Sequence, residues 1–187
     1  MTHYFAAIPI PFELVKEKIT DSSHRFELTA HYKIIPHPDD LHITLLFFGA
    51  LTPSQLELVH QEMGEAATKT YGFPLSINGV SFFGNPSGPR VVYLSVQENP
   101  QLTELYHLLG DRLESILQKP APAAYTPHIT IAKKRKDAVP VPIQQEYFEP
   151  LTMKVSEMVL YSIDPSSSPK YSPVNSFSFV DSFRIDD

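Results

Sequence analysis

The chain has no cysteine and no tryptophan in its 187 residues. Without cysteine there is no disulfide framework, no thiol nucleophile and no cysteine-ligated zinc or iron–sulfur site. Long hydrophobic runs are also missing, so no segment reads as a bilayer span. The apolar stretch at residues 4–12 lacks a basic lead and contains Pro9 and Pro11, so it reads as a strand and a turn, not a signal peptide. A soluble, cytoplasmic protein is expected. Glycine is scarce, at 7 residues, and neither a Walker motif nor a dinucleotide fingerprint is present, so nothing supports triphosphate-driven chemistry. Positive charge is in deficit: 15 Lys and Arg stand against 21 Asp and Glu, a net charge of −6. That balance argues against broad binding to a nucleic-acid backbone, while leaving room for a small basic pocket. Six histidines (His3, His24, His31, His37, His60 and His107) show no helical i, i+4 pairing of the kind that binds zinc, and no metal site is expected.

What the chain does have, twice, is one four-residue pattern: His42-Ile43-Thr44-Leu45 and His128-Ile129-Thr130-Ile131. Each copy sits in a β-branched, apolar run, 41–48 and 125–132. Residues i and i+2 of a strand face the same side. His42 and Thr44 are therefore predicted to share one face, with Ile43 and Leu45 packed behind, and His128 and Thr130 to do the same. A single His-x-Thr in a strand carries no information. Two copies in matching context define a candidate site.

The surroundings of the two copies also match. Strand, helix and motif strand follow in order in each half: a strand at 4–8, a helix opened by Pro11 and the motif strand at 41–48, then a strand at 90–96, a helix capped by Asn99-Pro100 and the second motif strand. Leu102, Leu105, Leu109, Leu113 and Ile116 recur at helical spacing. Thr52-Pro53 caps a further helix with Leu56, Val59, Met63 and Ala66 on one face, followed by a strand around 73–83. In the second half a proline-broken segment at 139–148 takes that helix's place, and strands are expected at 151–163 and 177–185. The stretch 164–173, rich in serine and proline, reads as a surface loop. The expected fold is α+β: one bilobal domain over 1–187, with pseudo-repeats of about 1–88 and 89–187. Each lobe would hold an antiparallel sheet with flanking helices, and the motif strands would face one another across a cleft between the lobes.

Two imidazoles and two hydroxyls in one cleft suit phosphodiester hydrolysis without a metal. Histidine titrates near neutral pH, so one ring can accept a proton from attacking water while the other donates to the departing alkoxide. Threonine hydroxyls can donate to the non-bridging oxygens and hold the group in line. Arg90 and Lys133 are candidate cations beside the phosphate, and Tyr125, Phe47 or Phe48 could stack on a base. The basic run 133–136 reads either as a solvated turn or as a substrate contact.

The segment 32–49, with Pro36-His37-Pro38-Asp39-Asp40 before the first motif and Phe48-Gly49 after it, and the segment 125–133 resemble the two signatures of the two-histidine phosphoesterase superfamily. The chain is most similar to the RNA 2',3'-cyclic phosphodiesterases, also called 2'-5' RNA ligases. The Pro89-Arg90-Val91 run and Tyr171 add to the likeness. The resemblance implies a bilobal fold with the site between lobes and no cofactor. It implies opening of an RNA 2',3'-cyclic phosphate end to a 2'-phosphomonoester, with ligation as a reverse reaction. His42 and His128 become the acid–base pair, with His42 assigned to the leaving oxygen and His128 to water, an order the pseudo-symmetry leaves nearly free to reverse. Thr44 and Thr130 become the phosphate holders. Members often carry arginine where this chain has Lys133, which keeps the charge but loses the bidentate fork. A small cyclic nucleotide as substrate, or a module that binds an RNA end without turnover, are the alternatives. A monomer is expected.

Overall fold

The computed structural model describes residues 1–181. In chain order it contains β1 (His3–Pro9), α1 (Phe12–Arg25), α2 (Leu28–His31), β2 (Tyr32–Ile34), a 3₁₀ turn (Pro38–Asp40), β3 (His42–Ala50), α3 (Pro53–Ala67) and β4 (Phe73–Phe83). It continues through β5 (Val91–Val96), α4 (Pro100–Leu117), β6 (His128–Arg135), β7 (Glu146–Val155), β8 (Glu157–Ile163) and β9 (Tyr171–Ser178). The helix starts follow their caps. Thr52 accepts from the Gln55 backbone N–H at 3.2 Å while the Gln55 side chain accepts from the Thr52 N–H at 3.0 Å, a reciprocal capping box. Asn99 accepts from the Leu102 N–H at 3.0 Å, ahead of Pro100 at the first helical position.

The strands form a single antiparallel sheet in the order β7-β4-β5-β6-β3-β1-β8-β9, with β2 pairing β6 from the side. The expected two sheets are present as two four-stranded halves of this one sheet. They meet where β6 and β3 pair at one position only, Ile43 opposite Ile129. Each half-sheet draws on both ends of the chain. β8 and β9, late in sequence, complete the side that contains β1 and β3, and β4 crosses over to pair with β5 and β7. Read from either end, the order gives a terminal partner, a crossover strand, a first strand and a motif strand.

One face of the sheet packs against the main core. Ile43, Leu45, Ile129 and Ile131 point into it with α3 residues Val59 and Met63 and α4 residues Leu102, Leu105 and Leu109, all buried. Complete burial of each such side chain contributes about 1.5–3 kcal/mol. α3 and α4 are tied to each other by Arg112 and Glu62 at 2.5 Å and by the Gln55 amide donating to the Ile116 carbonyl at 3.1 Å. By strand alternation, the opposite face is left to His42, Thr44, His128 and Thr130.

Several boundaries differ from those predicted. The strand expected at 151–163 is two strands, broken at Ser156 so that β7 and β8 join different half-sheets. The last strand begins at Tyr171, not 177, so the loop is shorter than its composition suggested; Pro173 is tolerated because β9 lies at the sheet edge. The end of the strand expected at 177–185 falls outside the described residues. β3 carries an extra residue opposite β1 between Phe47 and Gly49, and Gly49 adopts φ +82°, a conformation that disfavours a side chain. This bulge sends Phe48 into the core and leaves Phe47 47% exposed.

Candidate active site

The two motif strands place their polar side chains in one cavity of about 490 Å³, lined by His42, Thr44, His128, Thr130, Lys133 and Tyr171 among others. Each imidazole is anchored in the same way. His42 Nδ1 lies 2.7 Å from the Asp40 carbonyl oxygen, and His128 Nδ1 lies 2.8 Å from the Thr126 carbonyl oxygen. A carbonyl can only accept, so both rings carry the proton on Nδ1, which leaves Nε2 as the atom that can exchange a proton. His42 Nε2 is 3.0 Å from Thr44 Oγ1, and the hydroxyl donates to it when the ring is neutral. Among the described residues, no hydrogen-bond partner contacts His128 Nε2.

Aromatic rings frame both histidines. Phe5 from β1 lies tilted against His42 at 5.0 Å between centroids, and the Tyr171 ring meets it edge-on at 5.2 Å. Tyr93 from β5 lies tilted against His128 at 5.2 Å, and Phe83 meets it edge-on at 4.9 Å. Burial among these rings disfavours the charged imidazolium. It holds the His42 imidazole at about 4, with further lowering from the positive charges of Lys133 and His128, while the Asp40 carbonyl works in the opposite direction. Burial also lowers His128, with Lys133 adding to it. Lys133 is itself lowered, first by burial and then by Lys170 and Lys134.

Asp40 is a site residue that the sequence did not reveal. Its backbone carbonyl orients His42. Its buried carboxylate accepts from the backbone N–H groups of Lys170 and Tyr171 at 2.9 and 3.1 Å. The carboxylate therefore pins the start of β9, and with it the Tyr171 ring, beside His42. The contact spans about 130 positions, beyond any local sequence pattern. Lys33, His37, Ser168 and Lys170 also reach the cavity.

Arg90 and Tyr125 stand apart from the others. Arg90 is exposed and does not line the cavity; its neighbour Val91 does. Its backbone is occupied in the turn, accepting from the Lys134 N–H and donating to the Phe83 carbonyl. Tyr125 stacks on Tyr106 with rings parallel to within 2° at 4.1 Å, and its hydroxyl donates to the Thr44 carbonyl at 3.1 Å. It forms part of the wall of a second, mainly apolar cavity of about 500 Å³ that includes Phe47, Phe83 and Lys119. Thr44 and His128 line both cavities and separate them. Among the described residues, no group of three or more His, Asp or Glu side chains is arranged to hold a metal ion. No helix there is long and apolar enough to cross a membrane.

A sequence profile of the 2'-5' RNA ligase superfamily matches residues 16–166, and the chain belongs to that family. An RNA 2',3'-cyclic phosphodiesterase of Geobacillus stearothermophilus is 30% identical over 181 residues, which cover 94% of this chain and 57% of that protein. The protein of the same name from Bacillus subtilis is 29% identical over 177 residues, covering 94% of this chain and 95% of its own length. Among solved structures, a Thermus thermophilus protein superimposes with a TM-score of 0.78 at 25% identity, covering 95% of this chain and 97% of that one. Escherichia coli LigT, crystallised with ATP, gives a TM-score of 0.76 at 22% identity, covering 96% and 98%, and shares the fold.

Proposed function

We propose that the protein is a phosphoric diester hydrolase that opens RNA 2',3'-cyclic phosphate ends to a 2'-phosphomonoester through a metal-independent pair of histidines. The observation that carries this reading is the matched anchoring of His42 and His128. Both rings are held through Nδ1, so both Nε2 atoms are free to exchange protons beside two threonine hydroxyls in a single cavity. The names of the relatives from Geobacillus and Bacillus support the same chemistry.

The electrostatics favour His42 as the base, reversing the order expected from sequence. Its ring is held neutral more strongly and already accepts from a hydroxyl through Nε2. Water gives its proton to His42 Nε2 as its oxygen bonds to phosphorus. The bond from phosphorus to the 3'-oxygen breaks, and His128 in its protonated form gives the Nε2 proton to that oxygen. The step leaves His42 charged and His128 neutral, and exchange with solvent resets the pair. On binding, the anion draws the single Thr44 hydroxyl proton away from His42 Nε2 and leaves that nitrogen open to water; Thr44 and Thr130 then donate to the non-bridging oxygens, and Lys133 balances the charge developing there. The bound anion raises both imidazole pKa values, which brings the protonated form of His128 within reach.

The test is phosphorus NMR of chelator-treated protein mixed with an oligonucleotide ending in a 2',3'-cyclic phosphate. Conversion to one phosphomonoester, the 2' isomer, is expected. A cyclic signal that persists with both histidines intact overturns the reading, and a 3' product reverses the choice of leaving oxygen.

A further inference from the structure

The cavity that holds the two histidines is also lined by lysines, in a chain that is acidic overall. Lys133, Lys170 and Lys33 all reach it, from β6, from the turn before β9 and from β2. None of the three ammonium groups has a hydrogen-bond or ion-pair partner among the described residues. The carboxylate that would neutralise them, Asp40, has its oxygens turned to the backbone N–H groups of Lys170 and Tyr171. Lys133 and Lys170 lie close enough for each to feel the other's charge. Unpaired like charges held together by a buried clamp cost stability unless an anion enters between them. Lys133 lies near enough to act on His42 and His128 as well as on Lys170, so it links the reacting groups to Lys170.

Resting on the cyclic phosphodiesterase reading, we infer that Lys170, with Lys33 and with Lys133 shared between this site and the reacting phosphate, forms a second phosphate subsite that takes the 5'-phosphate of the nucleotide whose cyclic phosphate is opened. In an RNA end that 5'-phosphate is the linkage to the preceding nucleotide. The subsite therefore distinguishes a chain end from an unsubstituted nucleoside cyclic phosphate, and it needs no recognition of base or sequence. Asp40 acts as its positioning residue, because the carboxylate sets the backbone from which Lys170 projects. The exposure of the subsite matches a substrate whose remaining length runs out into solvent.

The experiment compares kcat/KM for adenosine 2',3'-cyclic phosphate with that for the same compound bearing a 5'-phosphate, in the full chain, in Lys170→Gln and in Lys134→Gln. Lys134 carries the same charge nearby but does not line the cavity. The wild type is expected to favour the 5'-phosphorylated compound by about tenfold, the contribution of one charge-assisted contact. Lys170→Gln should bring the preference below about threefold, and Lys134→Gln should keep it. Equal turnover of both compounds by the wild type would overturn the subsite and leave the hydrolase reading standing. An equal loss of preference in both variants would assign the effect to the general field and overturn the subsite too. Turnover of neither compound, nor of a cyclic-ended oligonucleotide, would sink the hydrolase reading on which the subsite rests.

Discussion

β3 and β6 offer the same pair of side chains to the cavity, held by the same kind of backbone anchor and framed by equivalent aromatic rings. They differ in what stands behind the anchor. On the β3 side the anchoring residue is Asp40, whose side chain also clamps the start of β9 and carries Tyr171 onto the His42 ring. On the β6 side the anchoring residue is Thr126, which contributes a carbonyl and no side-chain clamp. Both strands also line the apolar cavity, but on the β6 side the histidine itself reaches it, together with Thr126, whereas on the β3 side Thr44 does and His42 is not part of its lining. A near-symmetric fold has thus produced two half-buried histidines, one more tightly fixed than the other. Two proton-transfer groups in different surroundings can take opposite roles in one step.

Removing either ring should have the largest effect and test how equal the two strands are. His42→Ala and His128→Ala are each expected to lower kcat by about 10³-fold or more, since a positioned acid or base contributes about 10²–10⁴. The circular dichroism spectrum should stay native, because both rings line a cavity wall. Turnover within a few-fold of wild type in either variant would remove that histidine from the mechanism. Thr44→Ala and Thr130→Ala should cost about 10–100-fold each, one hydrogen bond to a charged group. Thr44 also bonds His42, so its loss should shift the pH profile as well, while loss of Thr130 should only lower the rate.

The asymmetry of the anchors gives a smaller and sharper contrast. Asp40→Ala orphans two backbone donors and should cost about 1–3 kcal/mol of stability along with about tenfold in kcat. Thr126→Ala keeps its carbonyl and should be nearly silent in both. Equal effects in denaturant titrations and steady-state rates would show that the carboxylate clamp does nothing for His42.

The profile of kcat/KM against pH reports the free enzyme. It should rise with an acidic limb near pH 4, where the half-buried His42 loses its proton, and fall along an alkaline limb below the ordinary histidine value of 6.5, where His128 loses its own. These apparent values belong to the interacting pair. The kcat profile should lie at higher pH, because bound phosphate raises both rings. A lowered imidazole pKa also means that the unfolded chain binds the extra proton first. Stability conferred by neutral His42 is therefore complete above pH 6.5 and drains away as pH falls toward 4. Melting curves of His42→Gln should show a flatter decline across that window.

The alternation of apolar and polar residues made the working faces of both motif strands readable, because strand geometry fixes side-chain direction from spacing alone. The caps Thr52 and Asn99 were readable for the same local reason. β2 was not: its three residues, Tyr32–Ile34, are held by pairing with β6 about a hundred positions away. Asp40 and Lys170 were hidden by the same kind of separation. The charge of Arg90 beside a strand points to the phosphate, but the turn takes its backbone and the strand hands the cavity wall to Val91. The serine and proline content of 164–173 suggested a loop, and an edge position let β9 begin within it. Signals that live in a few adjacent residues came through, and those that need two distant segments to meet did not.

The crossing of β4 and of β8 with β9 between the half-sheets has a consequence for synthesis at the ribosome. The side bearing β1 and β3 cannot complete its hydrogen bonding until residues 157–178 have left the exit tunnel, long after β1 itself has emerged. The first half should therefore wait with an unpaired β1 edge exposed, a period in which it would depend on rapid completion or on a chaperone. A polypeptide cut near residue 88 should have neither half able to stand alone, yet the two pieces mixed together hold every strand the sheet requires, and reassembly from fragments would reveal how the nascent chain waits for β8 and β9.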